Sequence, residues 1–434
     1  MTGPAQPDES YLRALVAATE AAVARAEPLT SAFTGAPAEL CAPVRAAVDA
    51  LGDELVALSR DLHAHPETGF AEHRSVRAVA DLLARHGHTA EIGTALPTDL
   101  RCTTGSDDGP HIGILAEYDA LPGIGHGCGH NVICATAVGA FLGLAGRAPG
   151  RVTLFGTPAE EGGGGKETMA RAGLFADVDA VVMLHPFSHD VAMHPFLGRR
   201  QVEMVFHGVA AHASAQPFMG RNALDAAVAA YTAVAALRQH LPPSDRLHGT
   251  FTDGGARPNV VPDRAALLFY VRSMEPETLR DLAHRVAEIA YGAARMHGCT
   301  VDVTWDDKPP YLPIRQNAAL AGRWAARQVE RGRTPLAPGV VPEFLTGSTD
   351  LGNLSYRMPA IHPMLAIAGP TAALHTVGFA AAAGSETGDR GVRDGADGLA
   401  LTALDYLVDD ALRAAVHEEF AAKGGPVDVP AFFR

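Results

Sequence analysis

The feature that most limits how this chain can fold is the stretch 113–131, GILAEYDALPGIGHGCGHN. An apolar run, Ile112 to Ala116, ends in the acids Glu117 and Asp119; a Pro/Gly turn follows, and then His126, Cys128 and His130 fall within five residues. Such a run bounded by turn residues predicts a buried strand that delivers a loop. Two imidazoles around a thiol offer soft or borderline ligands, and the intervening glycines let the backbone fold tightly about an ion. The spacing predicts a metal site. The nearly uncharged segment 132–146 comes next. It is too short and too rich in small residues to span a bilayer, and predicts a buried helix packed behind the loop.

Later segments carry complementary chemistry. Arg151 to Phe155 predicts a strand that ends in GTPAEEGGGGKE. Side chains diverge at a strand end, so the adjacent Glu160 and Glu161 can send one carboxylate to an ion and the other to the water beside it. A phosphate loop is excluded, because the Walker pattern needs glycine where Glu160 stands and Ser or Thr where Glu167 stands. Ala180 to Leu184 predicts another buried strand and ends in His185, where open α/β sheets place their sites. Ser188, His189 and Asp190 match a catalytic triad by type alone, since triad members meet in space and not in sequence. His63 and His65 form an H-x-H pair, but a helix-like segment precedes it, which predicts a packing or supporting role and not direct ligation.

A length of 434 residues predicts two or three domains. Residues 1–43 read as an N-terminal extension, helical over 8–27 and a linker over 28–43. Val44 to His63 and Ser75 to His86 have helical periodicity. Near Leu197 the pattern changes: strand 200–207, helix 222–239, a strand around 248–252, strand 265–272, helix 277–296 and strand 300–305. We read this as an α+β insertion, residues 198–311, between the two parts of an α/β domain, residues 44–197 and 312–434. The second part contains helices over 317–331 and 395–414. A formal charge of -14 and a pI near 5.8 argue against nucleic acid or an anionic membrane as partner. Five scattered cysteines make a disulfide framework improbable and fit a reducing cytoplasm. The first thirty residues contain Asp8, Glu9 and Glu20 and no continuous apolar core, so no signal peptide is read there.

HAHPETGFAEH, AEYDALPGIGHGCGHN, TPAEEGGGG, GVAAHAS, PNVVPD, GSTDLGN and LHTVGF occur in this order from Val44 onward. Together they resemble the amidohydrolase branch of the aminoacylase and carboxypeptidase G metallopeptidase family. That branch includes auxin-conjugate hydrolases, aminobenzoyl-glutamate hydrolase and dipeptidases acting on lysine or ornithine dipeptides; the last two look closest. The resemblance implies a zinc-peptidase-like α/β domain with a ferredoxin-like lid that pairs two subunits. It also implies two divalent ions per subunit held by Cys128, His130, Glu161, His185 and His375, with Glu160 as acid/base and Asp119 orienting the centre. His212, Asn259 and Arg272 would bind substrate from the lid, His212 reaching the partner's active site. Asn131 departs from the Asp of the auxin-conjugate enzymes and matches the dipeptidase-like group. His126 and His362 receive no metal role.

The chemistry also stands on the residues themselves. An amide resists hydrolysis because water is a poor nucleophile and the amine a poor leaving group, and a two-ion site answers the first difficulty. Glu160 can move the proton that the leaving nitrogen needs. Thiolate and imidazole ligands favour Zn²⁺, while the carboxylates leave Mn²⁺ or Co²⁺ open. His212 can donate to a forming oxyanion, and Arg272 can grip a carboxylate. The expected protein is a cytoplasmic homodimer that cleaves a dipeptide or an N-acyl amino acid with a free carboxylate. The alternative is an inactive metal- or peptide-binding member of the same fold, against which the paired Glu160 and Glu161 argue.

Overall fold

The computed structural model describes residues 7–434. Two compact units emerge: the first combines the described residues up to His194 with Arg315–Leu345 and Leu354–Val427, and the second combines Pro195–Ile314, Thr346–Asn353 and Asp428–Arg434.

The first unit is built on a six-stranded sheet. Its order is Glu91–Ile92, Leu100–Gly105, Arg151–Gly156, His111–Ala116, Ala180–Val182 and Ala360–Ile361. His111–Ala116 is parallel to both its neighbours, and every one of its residues is buried. That is why it reads as an unbroken apolar run and not as an alternation. The helix His130–Leu144 is likewise buried at every position. At Gly139 a Cβ would lie 2.4 Å from Leu55 Cδ1 and 2.9 Å from the Ala396 Cβ. Only glycine therefore lets this helix approach both Ala38–Ala64 and Glu386–Val408 so closely. The parallel strands all end at one edge of the sheet, and the residues that follow them there are Glu117, Asp119, Glu160, Glu161 and His185.

Several boundaries differ from the sequence expectation. The strand expected over 180–184 stops at Val182, and His185–Phe187 forms a separate short strand parallel to Met364–Ala366. The Ala38–Ala64 helix begins inside the expected linker, with Pro43 within it. Pro43 falls in its second turn, where it removes the donor that would reach the Glu39 carbonyl. The expected helix 395–414 is two helices, Glu386–Val408 and Asp410–Ala422. Asp409 divides them, because its carboxylate accepts from Leu412 N at 3.0 Å and caps the second. No helix among the described residues is long and apolar enough to cross a membrane.

The second unit has a four-stranded antiparallel sheet in the order Thr300–Trp305, Gly198–His207, Arg264–Ser273, Arg246–Asp253. With the helices Ala223–Leu237 and Pro276–Met296 the chain order is βαββαβ, a ferredoxin-like arrangement. Val202, Met204, Phe206, Leu267, Phe269 and Val271 face the helices and pack with Ala223, Ala227, Leu282 and Val286. Asn222 caps the first helix through Leu224 N and Asp225 N. Thr346–Asn353, which the sequence reading places with the flanks, joins this unit: Gly347 O accepts from Leu197 N at 2.8 Å, and Asn353 Oδ1 accepts from Leu312 N at 2.8 Å.

Candidate metal centre

At the edge where the strands end, three overlapping groups of ligand atoms form, each with its atoms within 4.8 Å of one another. They are Cys128, His130 and His185; Cys128, Glu161 and His375; and Glu117, His130 and Glu160. Cys128 links the first two and His130 links the first and third. The backbone makes this closeness feasible at Gly129, which has φ 77° and where a Cβ would lie 2.8 Å from the Pro186 ring. Only a residue at ease in the left-handed region, without a Cβ, can turn the chain there into the His130–Leu144 helix.

The rings of His130 and His185 are each oriented by their other nitrogen. His130 Nδ1 bonds Asp119 Oδ1 at 3.1 Å, which turns Nε2 toward Glu117 Oε2 at 3.4 Å and Glu160 Oε2 at 3.9 Å. His185 Nδ1 donates to Pro186 O at 2.6 Å, leaving Nε2 as the lone-pair nitrogen. The other carboxylate oxygen of Asp119 accepts from Glu161 N at 2.9 Å, so one side chain fixes both a histidine and the loop of the paired acids. His375 sits at φ 62° with Nε2 3.7 Å from Glu161 Oε1.

The electrostatics suit a cation. Burial followed by the Glu161 charge pushes the Cys128 thiol well up. Burial opposes charge on His130, but Glu117 and Asp119 outweigh it and raise the imidazole well above its ordinary range. Burial and then His130 push His185 down to about 4, so it stays neutral. His130 Nε2, Glu117 Oε2 and Glu161 Oε1 are buried without a hydrogen-bond partner among the described residues. Each such atom costs about 1–3 kcal/mol, and divalent cations held at these groups would offset that cost at His130 and Glu161 by ligation and at Glu117 by their charge. The donor set therefore fits bound metal.

Two residues outside the sequence-based site belong to this centre. Glu117 is buried between His130 and Lys166, whose buried Nζ lies 2.5 Å from Glu117 Oε1. The available signal was position: Glu117 and Asp119 directly follow the buried strand His111–Ala116. Glu72, also buried, accepts from Ala159 N at 2.9 Å and Thr98 Oγ1 at 2.6 Å. It thereby holds Ala159, whose φ is 57°, beside Glu160.

Other histidines serve the framework. His63 Nε2 bonds Ala380 O at 2.7 Å, and His65 Nδ1 bonds Asp61 O at 2.9 Å. Burial first, then the charge of His130, lowers His126 to about 3, and its Nε2 bonds Leu62 O. His362 is buried with its ring 5.5 Å from that of His185. Asn131 turns away from the centre and donates to Ser59 Oγ at 2.8 Å and Ala383 O at 3.0 Å.

Within the second unit, His212 and Asn259 come together and Arg272 does not join them. His212 pairs with Val260 in a small ladder, and Asn259 O accepts from Ala213 N at 3.0 Å. His212 Nδ1 accepts from Ala215 N, which leaves Nε2 as the donor. Arg264 pairs with His207, near this hairpin in the chain, whereas Arg272 pairs with Arg199 at the far end of the same strand. At about 3.4 Å per residue those ends are roughly 27 Å apart.

Comparison with known proteins agrees. Residues 197–295 match the family described as peptidase dimerisation domain. An Xaa-Arg dipeptidase from Mus musculus is 36% identical over 393 residues, covering 87% of this chain and 91% of its own length. One of the chains of the p-aminobenzoyl-glutamate hydrolase of Escherichia coli (strain K12) is 30% identical over 435 residues, covering 82% and 89%. A dinuclear metal-binding peptidase of the M20 family from Bacillus subtilis shares the fold with TM-score 0.65 at 20% identity, covering 83% of this chain and 99% of that one. Fold, centre and relatives define a metal-dependent amidohydrolase. The chain belongs to the M20 peptidase family.

Proposed function

We propose that this hydrolase is a two-ion dipeptidase whose ions are held by Cys128, His130, Glu161, His185 and His375. Zn²⁺ suits the thiolate and imidazoles best, with Mn²⁺ and Co²⁺ as the competing choices. When bound, such a pair of ions supplies an activated water and polarises the scissile carbonyl. Asp119 keeps the His130 lone pair directed inward. Glu160 takes a proton from the attacking water and returns it to the departing nitrogen. His212 donates from Nε2 to the developing oxyanion, while Asn259 and Arg272 bind the substrate, Arg272 taking its free carboxylate. The dipeptide class is supported by the coverage of the Xaa-Arg dipeptidase relative.

The observation that carries the mechanism is the set of buried, unpartnered oxygens and nitrogen that converge beside Cys128 and Glu160. A homodimer is supported by the match to a dimerisation domain and by the separation of Arg272 from His212 within one lid. A cytoplasmic setting is supported by Cys41, Cys102, Cys128, Cys134 and Cys299, all free and buried. Metal-stripped protein, verified by elemental analysis, should release no amine from a panel of dipeptides and acyl amino acids. Adding back Zn²⁺, Mn²⁺ or Co²⁺ should restore release at up to two ions per chain. Turnover by the stripped protein would overturn the mechanism.

A further inference from the structure

Three arginines stand in cross-strand register on the lid sheet: Arg246 opposite Arg272, and Arg272 opposite Arg199. Directly paired residues project to the same face, and like charges placed opposite one another destabilise a sheet. The same Tyr270 ring lies 5.0 Å from the Arg199 guanidinium carbon and 5.8 Å from that of Arg272, which puts both on one side. That side is opposite the helices, which pack on Val202, Val271 and Leu247.

Arg199 is the unusual member. It is 5% exposed, its Nε has no hydrogen-bond partner, and it forms no ion pair among the described residues. Its guanidinium is instead sandwiched between Tyr270 and Tyr311, the latter at 4.3 Å. The rings supply cation–π attraction and fix the plane of the fork, but neither carries a counter-charge. The nearby acid Asp306 is committed to Arg200 at 2.6 Å and to Gln201 N at 3.0 Å. Arg246 is turned to the backbone oxygens of Pro243 and Asp245. Burial and then the charges of Arg272, Arg238 and Arg246 push the neighbouring His248 down, so the face adds no further cation and keeps its field from the arginines. A held, unpaired guanidinium beside a second one is suited to an anion that takes both.

We propose that Arg199 and Arg272 form a two-guanidinium clamp for the free carboxylate of the substrate, Arg246 strengthening the field from the flank. The assignment rests on the dipeptidase reading for the identity of the ligand, and adds Arg199 as a residue that selects free acids over capped ones. Two forks can take the two oxygens of one carboxylate, whereas an uncharged amide at the same position gains little from either.

The test uses full-length, metal-loaded protein carrying Glu160→Gln, so that binding is read by calorimetry without turnover. The probes are alanyl-arginine and its C-terminal amide. The parent should bind the acid at least tenfold more tightly than the amide. Arg199→Met keeps an apolar stem between the tyrosines, and should weaken the acid by about ten- to a hundredfold while leaving the amide unchanged. Should that variant fail to fold, Arg199→Lys carries the test: it keeps the charge but loses the fork, and should weaken the acid alone by several-fold. Equal weakening of both probes makes Arg199 a structural residue and overturns the clamp, as does a parent with no preference for the acid. Failure of the dipeptidase reading would show separately, as absence of amine release by the unsubstituted protein.

Discussion

Glu160 and Glu161 are neighbours with different partners, and their substitution should separate two kinds of loss. Glu161 lies with Cys128 and His375, while Glu160 lies with His130 and Glu117. Glu160→Gln should retain metal and lose on the order of a hundredfold or more in rate, as for a missing acid/base. Glu161→Gln should also lower metal content, read by elemental analysis after dialysis. Equal metal loss in both would reverse the assignment. The gathering of Cys128, His130 and the two acids was legible because each follows an apolar run that ends in a turn. Glu117 was legible only as an acid at a strand end, because its place in the centre depends on Lys166, a residue distant in sequence whose buried amine the local pattern does not reveal. Glu72 escaped for the same reason: its partners are Thr98 and the amide of Ala159, and neither adjoins it in sequence.

Element types were easier to read than element ends. The lid strands and helices emerge from their periodicity, since one face of each meets a single core. The break at Asp409 depends on one side chain choosing to cap, and the surrounding apolar periodicity runs through it unchanged. A similar cap comes from Glu419, whose two oxygens accept from Ala318 N and Ala319 N at the start of Ala318–Val329. Burial works to raise the Glu419 carboxyl, but these amides and Lys423 win and hold it below the ordinary 4.5. A depressed folded value means that the contribution is complete above pH 4.5 and is lost as pH falls through the folded value. Glu419→Gln should therefore cost about 1 kcal/mol in urea unfolding at neutral pH, and the difference from the parent should shrink on acidification. A gap that widens with acid would contradict the cap. Gly139→Ala tests the other kind of element contact: the fixed Ala396 Cβ should make it destabilising by about 1–3 kcal/mol.

At the level of the whole molecule, the proposed sharing of the site between two subunits predicts complementation. Glu160→Ala and His212→Ala proteins should each be nearly inactive. Mixed under conditions that exchange subunits, about half the dimers become hybrids, each with one complete site, so about a quarter of all sites recover. Exchange confirmed by mass without returning activity would confine His212 to its own chain. The alternating lid pattern made an inserted domain readable from sequence. The separation of its proposed substrate-binding residues was not readable, because only the strand register shows that Arg272 lies at the opposite end of the four-stranded sheet from Arg264 and His207, beyond which the chain runs into the separate His212 hairpin. That separation has a kinetic consequence. A dipeptide is about 7 Å long, far shorter than the roughly 27 Å between those ends, so one lid cannot touch a single substrate with both. Dilution should then act as an inhibitor: specific activity should fall as the protein is diluted through its association range, while circular dichroism stays unchanged. In that range the rate should rise with the square of protein concentration, and a strictly linear dependence there would mean that a lone chain completes its own site.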